Sequence, residues 1–137
     1  MNHVFTYSAL GNIIALVPLK HHRSKSLQAI TTLHPNVDQI LIYAQHHKLI
    51  NVQIYNKDLS PAQQCGNGLR ALAYHLNLTN LVFQVSNKYY DGYKINDSYW
   101  INMGAATYHS YQKTQHSAYH RIHIGNEHAI FLQSMTE

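Results

Sequence analysis

Cysteine occurs once in this chain of 137 residues, at position 65. A single thiol excludes an internal disulfide framework and any zinc module built on several cysteines. Charge is scarce as well. Asp, Glu, Lys and Arg make up 12% of the residues, against a usual share of about 25%. Low charge beside 45% hydrophobic residues excludes intrinsic disorder, which needs the opposite balance. No long apolar run is present. The most apolar stretch, residues 13–19, contains Pro18 and falls far short of the roughly 20 residues a membrane helix needs. The start, Met1-Asn2-His3-Val4, lacks a basic region followed by an apolar one. A soluble, cytoplasmic protein with no membrane partner is expected. The length suits one domain, residues 1–137, because domains commonly hold roughly 100–200 residues.

The chain has ten Lys and Arg against six Asp and Glu, a net charge of +4. These basic residues are scattered singly, and only residues 20–25 approach a cluster. A nucleic-acid groove binder concentrates its charge on one face, so no nucleic-acid partner is expected. Of the twelve histidines, His116 and His120 stand four apart and would share a face only in a helix. No His-Glu-x-x-His pattern or nearby acidic ligand accompanies them, so no metal site is expected. Eleven tyrosines suit half-buried strand faces with a wet hydroxyl end.

Residues 4–8 and 12–17 read as two strands around a turn at Gly11, and residues 24–33 as a short helix broken by Pro35-Asn36. Residues 39–44 and 51–55 read as a strand pair. The best helix runs from about Gly68 to Asn77, where Leu69, Leu72, Ala73 and Leu76 form one apolar stripe. Residues 81–85, 89–95, 99–103, 120–124 and 129–132 read as short strands. One strong helix among many strands predicts an α+β domain in which a curled sheet wraps that helix.

Cys65 stands immediately before the strong helix. The first N–H groups of a helix lack intrahelical partners and carry partial positive charge. A thiol there has its thiolate favoured, and the exposed N–H groups can hold a carboxylate or phosphate. Gly66 and Gly68 let the backbone turn tightly and approach a ligand. The alternative, a buried and inert cysteine acting as a small hydrophobe, stays open on chemistry alone.

At this point the sequence resembles diaminopimelate epimerase, a cofactor-independent amino-acid epimerase family. Leu10-Gly11-Asn12 is similar to the family's Gly-Leu-Gly-Asn-Asp-Phe turn, and Asp38-Gln39-Ile40-Leu41 to its Asp-Gln-Leu-Leu strand start. Asn56-Lys57-Asp58-Leu59-Ser60 resembles Asn-x-Asp-Gly-Ser. Gln64-Cys65-Gly66-Asn67-Gly68 with Arg70 resembles the catalytic-cysteine segment. Asn102-Met103-Gly104 and Gly125-Asn126-Glu127-His128-Ala129 are similar to the Met-Gly and Gly-Asn-Pro-His stretches. The motifs keep the family's order over nearly the whole chain. Asn67 separates it from proline racemases, which tend to carry His there, and Cys65 from the phenazine-biosynthesis relatives, which lack a cysteine base at this position.

The resemblance implies a fold and roles. The chain would be one half of a two-domain fold, its curled mixed or antiparallel sheet around a central helix. Cys65 would be one of two acid/base thiols, and His128 would help position the reacting groups. Asn12, Gln39, Asn56 and Asn126 would bind the substrate's amino and carboxyl ends, and Gly66 and Asn67 would offer backbone N–H groups to the α-carboxylate. No cofactor is implied. Departures are Ala9 and Leu59 where the family has glycine, Ile13 for an acidic residue and Glu127 for proline. Leu59 matters most, because a glycine there serves a backbone angle that leucine dislikes.

Inversion at an α-carbon needs a base on one face and an acid on the other. In the family the second domain supplies the opposite thiol. The expected partners are therefore a small amino acid such as diaminopimelate and a second domain or chain, with a homodimer as one form of it. The alternative is an inactive amino-acid-binding or interaction domain derived from the family.

Overall fold

The computed structural model describes residues 3–22, 26–124 and 126–131, without the side chains of Asn126 and Glu127. By its contacts the chain divides into two compact units, Met1–Asn102 and Met103–Glu137.

Runs of β-branched and aromatic residues make the first unit mostly strand. In order it holds β1 (Phe5–Ala9), β2 (Asn12–Pro18), α1 (Leu19–His22), α2 (Leu27–Leu33), β3 (Gln39–His46) and β4 (Leu49–Asn56). Then come β5 (Pro61–Ala62), α3 (Gly66–Leu76), β6 (Asn80–Val85), β7 (Lys88–Ile95) and β8 (Ser98–Ile101). The strands form one sheet in the order β1-β2-β3-β4-β6-β7-β8, with β5 paired to β4. Four two-residue turns set the antiparallel registers. The first is Leu10-Gly11, where Ala9 pairs with Asn12 and both turn residues have positive φ (52° and 91°), as hairpin turns of this length prefer.

Two strand pairs, β2–β3 and β4–β6, are parallel and need crossovers. The β3–β4 hairpin reverses the chain between them. Two right-handed crossovers on oppositely directed strands put their helices on opposite faces, and the side chains agree. Ile30 of α2 joins a buried cluster with Val4, Ala15, Val17, Val37, Ile40 and Ile42. Leu41, of opposite parity to Ile40 and Ile42, lies against α3 at Gly68. Burial on both sides explains why Ile14, Ala15, Leu16 and Val17 form a continuous apolar run.

Helix α3 touches β1 and β2 near one edge of the sheet and β7 and β8 at the other. Both ends of the sheet approach one helix, so the sheet curls around it. Leu69 and Leu72 are fully buried, while Leu76 is half-buried. Tyr74 of α3 meets Tyr7 of β1 edge-on and Tyr99 of β8 on its other side. Asn77, in the left-handed conformation (φ 51°), caps the helix and accepts from Tyr99 Oη at 2.9 Å.

The expected strands and the strong helix are present, with ends moved by a few residues. The early helix starts at Leu27 behind its cap, Ser26, whose Oγ accepts from the Ala29 N–H; residues 23–25 lie outside the described residues. Three short or polar elements were not foreseen: α1, β5 and, in the second unit, β9. That unit is a three-stranded antiparallel sheet of β9 (Thr107–Lys113), β10 (Ala118–Ile124) and β11 (Asn126–Ile130), in the order β11-β10-β9. His116 lies in the turn and His120 in β10, so the pair never shares a helical face.

Replacing Leu72 by Ala is expected to lower unfolding free energy by about 2–5 kcal/mol, as for other fully buried leucines. Leu76→Ala should cost less than half as much. Urea denaturation of the two variants measures the difference, and equal losses would contradict the placement of α3.

His75 of α3 is half-buried beside the Phe5 and Tyr7 rings, with Tyr7 Oη 2.7 Å from its Nδ1. Burial lowers its pKa from the usual 6.5. The unfolded chain then binds this proton more readily than the folded one. Its contribution to stability is complete above about pH 6.5 and is lost as pH falls through the folded value. Melting temperatures at pH 8 and pH 5 should differ less in His75→Gln than in the wild type.

Candidate functional site

Strand register builds a polar rim at one end of the apolar face beneath α3. Ile14 of β2 pairs with Gln39 of β3, and Gln39 pairs with Asn56 of β4. Alternation puts Ile14, Leu16, Leu41 and Ile54 on the same face as these two amides. All four are buried. Asn12 stands two residues before Ile14, so it shares this face at the same end of the sheet. The amides are thus the half-buried ends of hydrophobic rows.

The start of α3 closes onto that rim. Cys65 is its N-cap, with extended backbone (φ −152°, ψ 94°), and its Sγ accepts from the Gly68 N–H at 3.2 Å. Gly68 permits the approach. A Cβ there would lie 2.9 Å from Leu41 Cδ1 and 3.0 Å from Cys65 Sγ. The thiol donates to Gln39 Oε1, and Gln39 Nε2 donates to Asn56 Oδ1 at 3.3 Å. Cys65, Gln39 and Asn56, spread over the first half of the chain, are therefore joined by hydrogen bonds. The N–H groups of Gly66 and Asn67 have no partner among the described residues, which leaves two donors at the helix start for an anion.

The expected activation of the thiol needs correction. Burial pushes the Cys65 thiol up, and the opposing pull of the Gly68 N–H is the smaller effect. The residue is 8% exposed. Desolvation of a thiolate outweighs the helix-start donors here, and Gln39 Oε1 accepts a hydrogen that only the neutral thiol can give.

Asn126 and His128 belong to β11 of the second unit. His128 is exposed and pairs in register with Ile122. The Asn126 side chain lies outside the described residues.

Two further residues had no role assigned from sequence. Gln64 is 5% exposed and its Nε2 has no hydrogen-bond partner. Leu59 has φ 70°, the left-handed region that its glycine counterpart adopts freely. It tightens the loop from Asn56 to Ser60, which is closed by Leu59 N–H to Asn56 O (2.9 Å) and Asn56 N–H to Ser60 O (2.8 Å). Packing of its side chain against the α2-side cluster offsets the strain. Asp38, the acidic residue before Gln39, accepts from the Ile13 N–H through Oδ2 at 2.8 Å and so ties β2 to β3 beside the rim.

A groove of about 380 Å³ runs past Tyr43, Gln53, Tyr55 and Pro61, and none of Cys65, Gln39 and Asn56 lines it. The hydrogen-bonded cluster, not that groove, is therefore the candidate site. Among the described residues, no three His, Cys, Asp or Glu side chains are placed to share a metal ion. No helix among them is long and apolar enough to cross a membrane.

No family model and no curated protein matches the chain. Solved structures do. A phenazine biosynthesis protein of the PhzF family from Bacillus anthracis superposes with a TM-score of 0.67 at 14% identity, covering 93% of this chain and 54% of that one. A predicted epimerase from Pseudomonas aeruginosa gives 0.61 at 11% identity, covering 90% and 55%. A PhzF-family protein from Enterococcus faecalis gives 0.53 at 15% identity, covering 65% and 36%. The chain thus spans about half the length, or less, of these relatives. The fold is the α+β, diaminopimelate epimerase-like fold with its curled mixed sheet.

Leu59 allows its strain to be isolated. Leu59→Ala keeps the left-handed angle and loses the packing, whereas Leu59→Gly loses the packing but relieves about 1–2 kcal/mol of strain. Urea midpoints are expected to rank Gly above Ala, the reverse of the usual order. Ala above Gly would show that φ at this position is not costly.

Proposed function

We propose that this chain carries one half of a cofactor-independent amino-acid epimerase site of the diaminopimelate epimerase type, acting on LL-diaminopimelate or a similar amino acid. The observation that carries the reading is Cys65 at the N-cap of α3, bonded to Gln39 and backed by the free N–H groups of Gly66 and Asn67. The fold is shared with PhzF-family proteins. The epimerase reading therefore rests on the cysteine motif, since the phenazine-biosynthesis relatives lack a cysteine base at this position.

The chemistry assigns each group a task. A carbanion formed at the α-carbon without an electron-sink cofactor must spread its charge onto the carboxylate. Donors at a helix start stabilise that charge best when they are already in place. Gly66 and Asn67 N–H would meet the α-carboxylate, and Asn12, Gln39 and Asn56 the remaining polar groups. Cys65 would exchange a proton with one face of the α-carbon. Its raised pKa suits the proton-donating role at neutral pH. The opposite face requires a second thiol from another domain or chain. A homodimer is one such arrangement.

The test uses LL-diaminopimelate in deuterated water. A half-site thiol that takes the α-proton returns it to the same face. The expected result is α-deuteration without the meso isomer, faster as pH rises and the thiolate fraction grows. Cys65→Ser should slow the exchange by about 100-fold or more. Absent exchange, with the amino acid bound all the same, would favour the inactive binding domain. Exchange that survives Cys65→Ser would remove the thiol from the mechanism.

A further inference from the structure

The hydrogen bonds at Cys65 do not end at Asn56. Asn56 Nδ2 donates to Ser60 Oγ at 3.2 Å, and Ser60 Oγ donates to Asp58 Oδ1. The result is an unbroken line of side chains from the thiol through Gln39, Asn56 and Ser60 to a carboxylate.

Its direction is forced from the far end. An ionised carboxylate can only accept, so the Ser60 hydroxyl must donate to it. The Ser60 oxygen then accepts, which turns Asn56 Nδ2 toward it and Asn56 Oδ1 toward Gln39. That oxygen takes Gln39 Nε2, which leaves Gln39 Oε1 facing the sulfur. An oxygen there requires a hydrogen on Sγ. Each bond polarises the next in the same sense.

We propose that Asp58 and Ser60 are positioning residues, which orient the Asn56 and Gln39 amides and so hold Cys65 in its protonated, proton-donating state. Thiolate formation then requires the line to reverse, with Gln39 rotating its amide to aim Nε2 at sulfur. The consequence for catalysis rests on the epimerase reading above; the effect on the thiol does not.

Asp58 remains ionised well into acid. The Ser60 hydroxyl, then the Ser60 N–H, hold its carboxyl below the usual range. Other charged groups on the surrounding elements are otherwise engaged or exposed. The Asp38 carboxylate accepts from the Ile13 N–H, while Lys57 in the same loop and Arg70 on α3 are exposed.

The lone cysteine makes the test clean, because iodoacetamide has one thiol to modify. The alkylation rate of the full chain is measured against pH for the wild type, Asp58→Asn, Ser60→Ala, Ser60→Thr and the distant control Asp97→Asn. Asp58→Asn and Ser60→Ala should each lower the midpoint by about one pH unit, roughly tenfold more thiolate at a given pH below it. Ser60→Thr keeps the hydroxyl and should match the wild type, as should the control. Unchanged or raised midpoints in both variants would overturn the proposal. A shift in Asp58→Asn alone would also overturn it, by reducing Asp58 to a charge acting through space. In the unmodified chain, the side-chain NH₂ resonances of Gln39 and Asn56 should titrate with the Asp58 carboxyl at acid pH, and flat resonances would count equally against it. Loss of epimerase chemistry with these midpoints as expected would defeat the functional reading alone.

Discussion

Contact between Gly68 of α3 and Leu41 of β3 is the constraint on which the site depends. With no room for a Cβ, the helix start sinks onto the apolar face. That depth brings Cys65 to the Gln39 amide and buries the thiol. It also aims two unpaired N–H groups at the same end of the sheet. The curled sheet serves the contact from outside, since β1 and β8 flank the helix from opposite edges, where Tyr7 and Tyr99 each meet the Tyr74 ring. Helix burial and site geometry are consequences of one packing decision.

Much of this was legible in the sequence, and the reason is periodicity. The leucine stripe of α3 has no competing pattern, and Asn77 ends it in a conformation that asparagine tolerates. Leu59 was legible by contrast with a glycine, and its backbone carries the angle that the contrast implied. The less legible parts are local failures of the same signal. Strand β9 alternates Thr, His, Ser and Gln with tyrosines, and five of its seven residues are exposed, so no apolar face marks it. Helix α1, four residues behind Pro18, is too short to show a period.

The state of the thiol shows where sequence reasoning stops for a physical reason. Adjacency to a helix start can be read along the chain and favours a thiolate. Desolvation comes from residues far away in sequence, here Leu41 and the buried rows around it, and disfavours it. The second effect is larger. Likewise, Gln39 and Asn56 could each be singled out as substrate-binding amides, but which atom Asn56 turns toward Gln39, and Gln39 toward the sulfur, depends in the proposed line on an Asp–Ser pair in a loop. A motif reading treats Asn56, Asp58 and Ser60 as three matched letters, whereas in the fold they are consecutive links of one hydrogen-bonded line.

Within the proposed epimerase reading, a protonated thiol fits one side of a two-sided reaction. In that reading Cys65 rests as the acid for one face, and a group from the other side takes the proton from the opposite face. The same burial that raises the Cys65 pKa lowers the thiolate fraction open to alkylation and oxidation. It also ties the proton inventory of the site to Gln39, whose amide must turn before the thiolate is accommodated. In the proposed site, the proton that Cys65 holds at rest follows from its burial together with the orientation of Gln39, which Asp58 and Ser60 set from a distance.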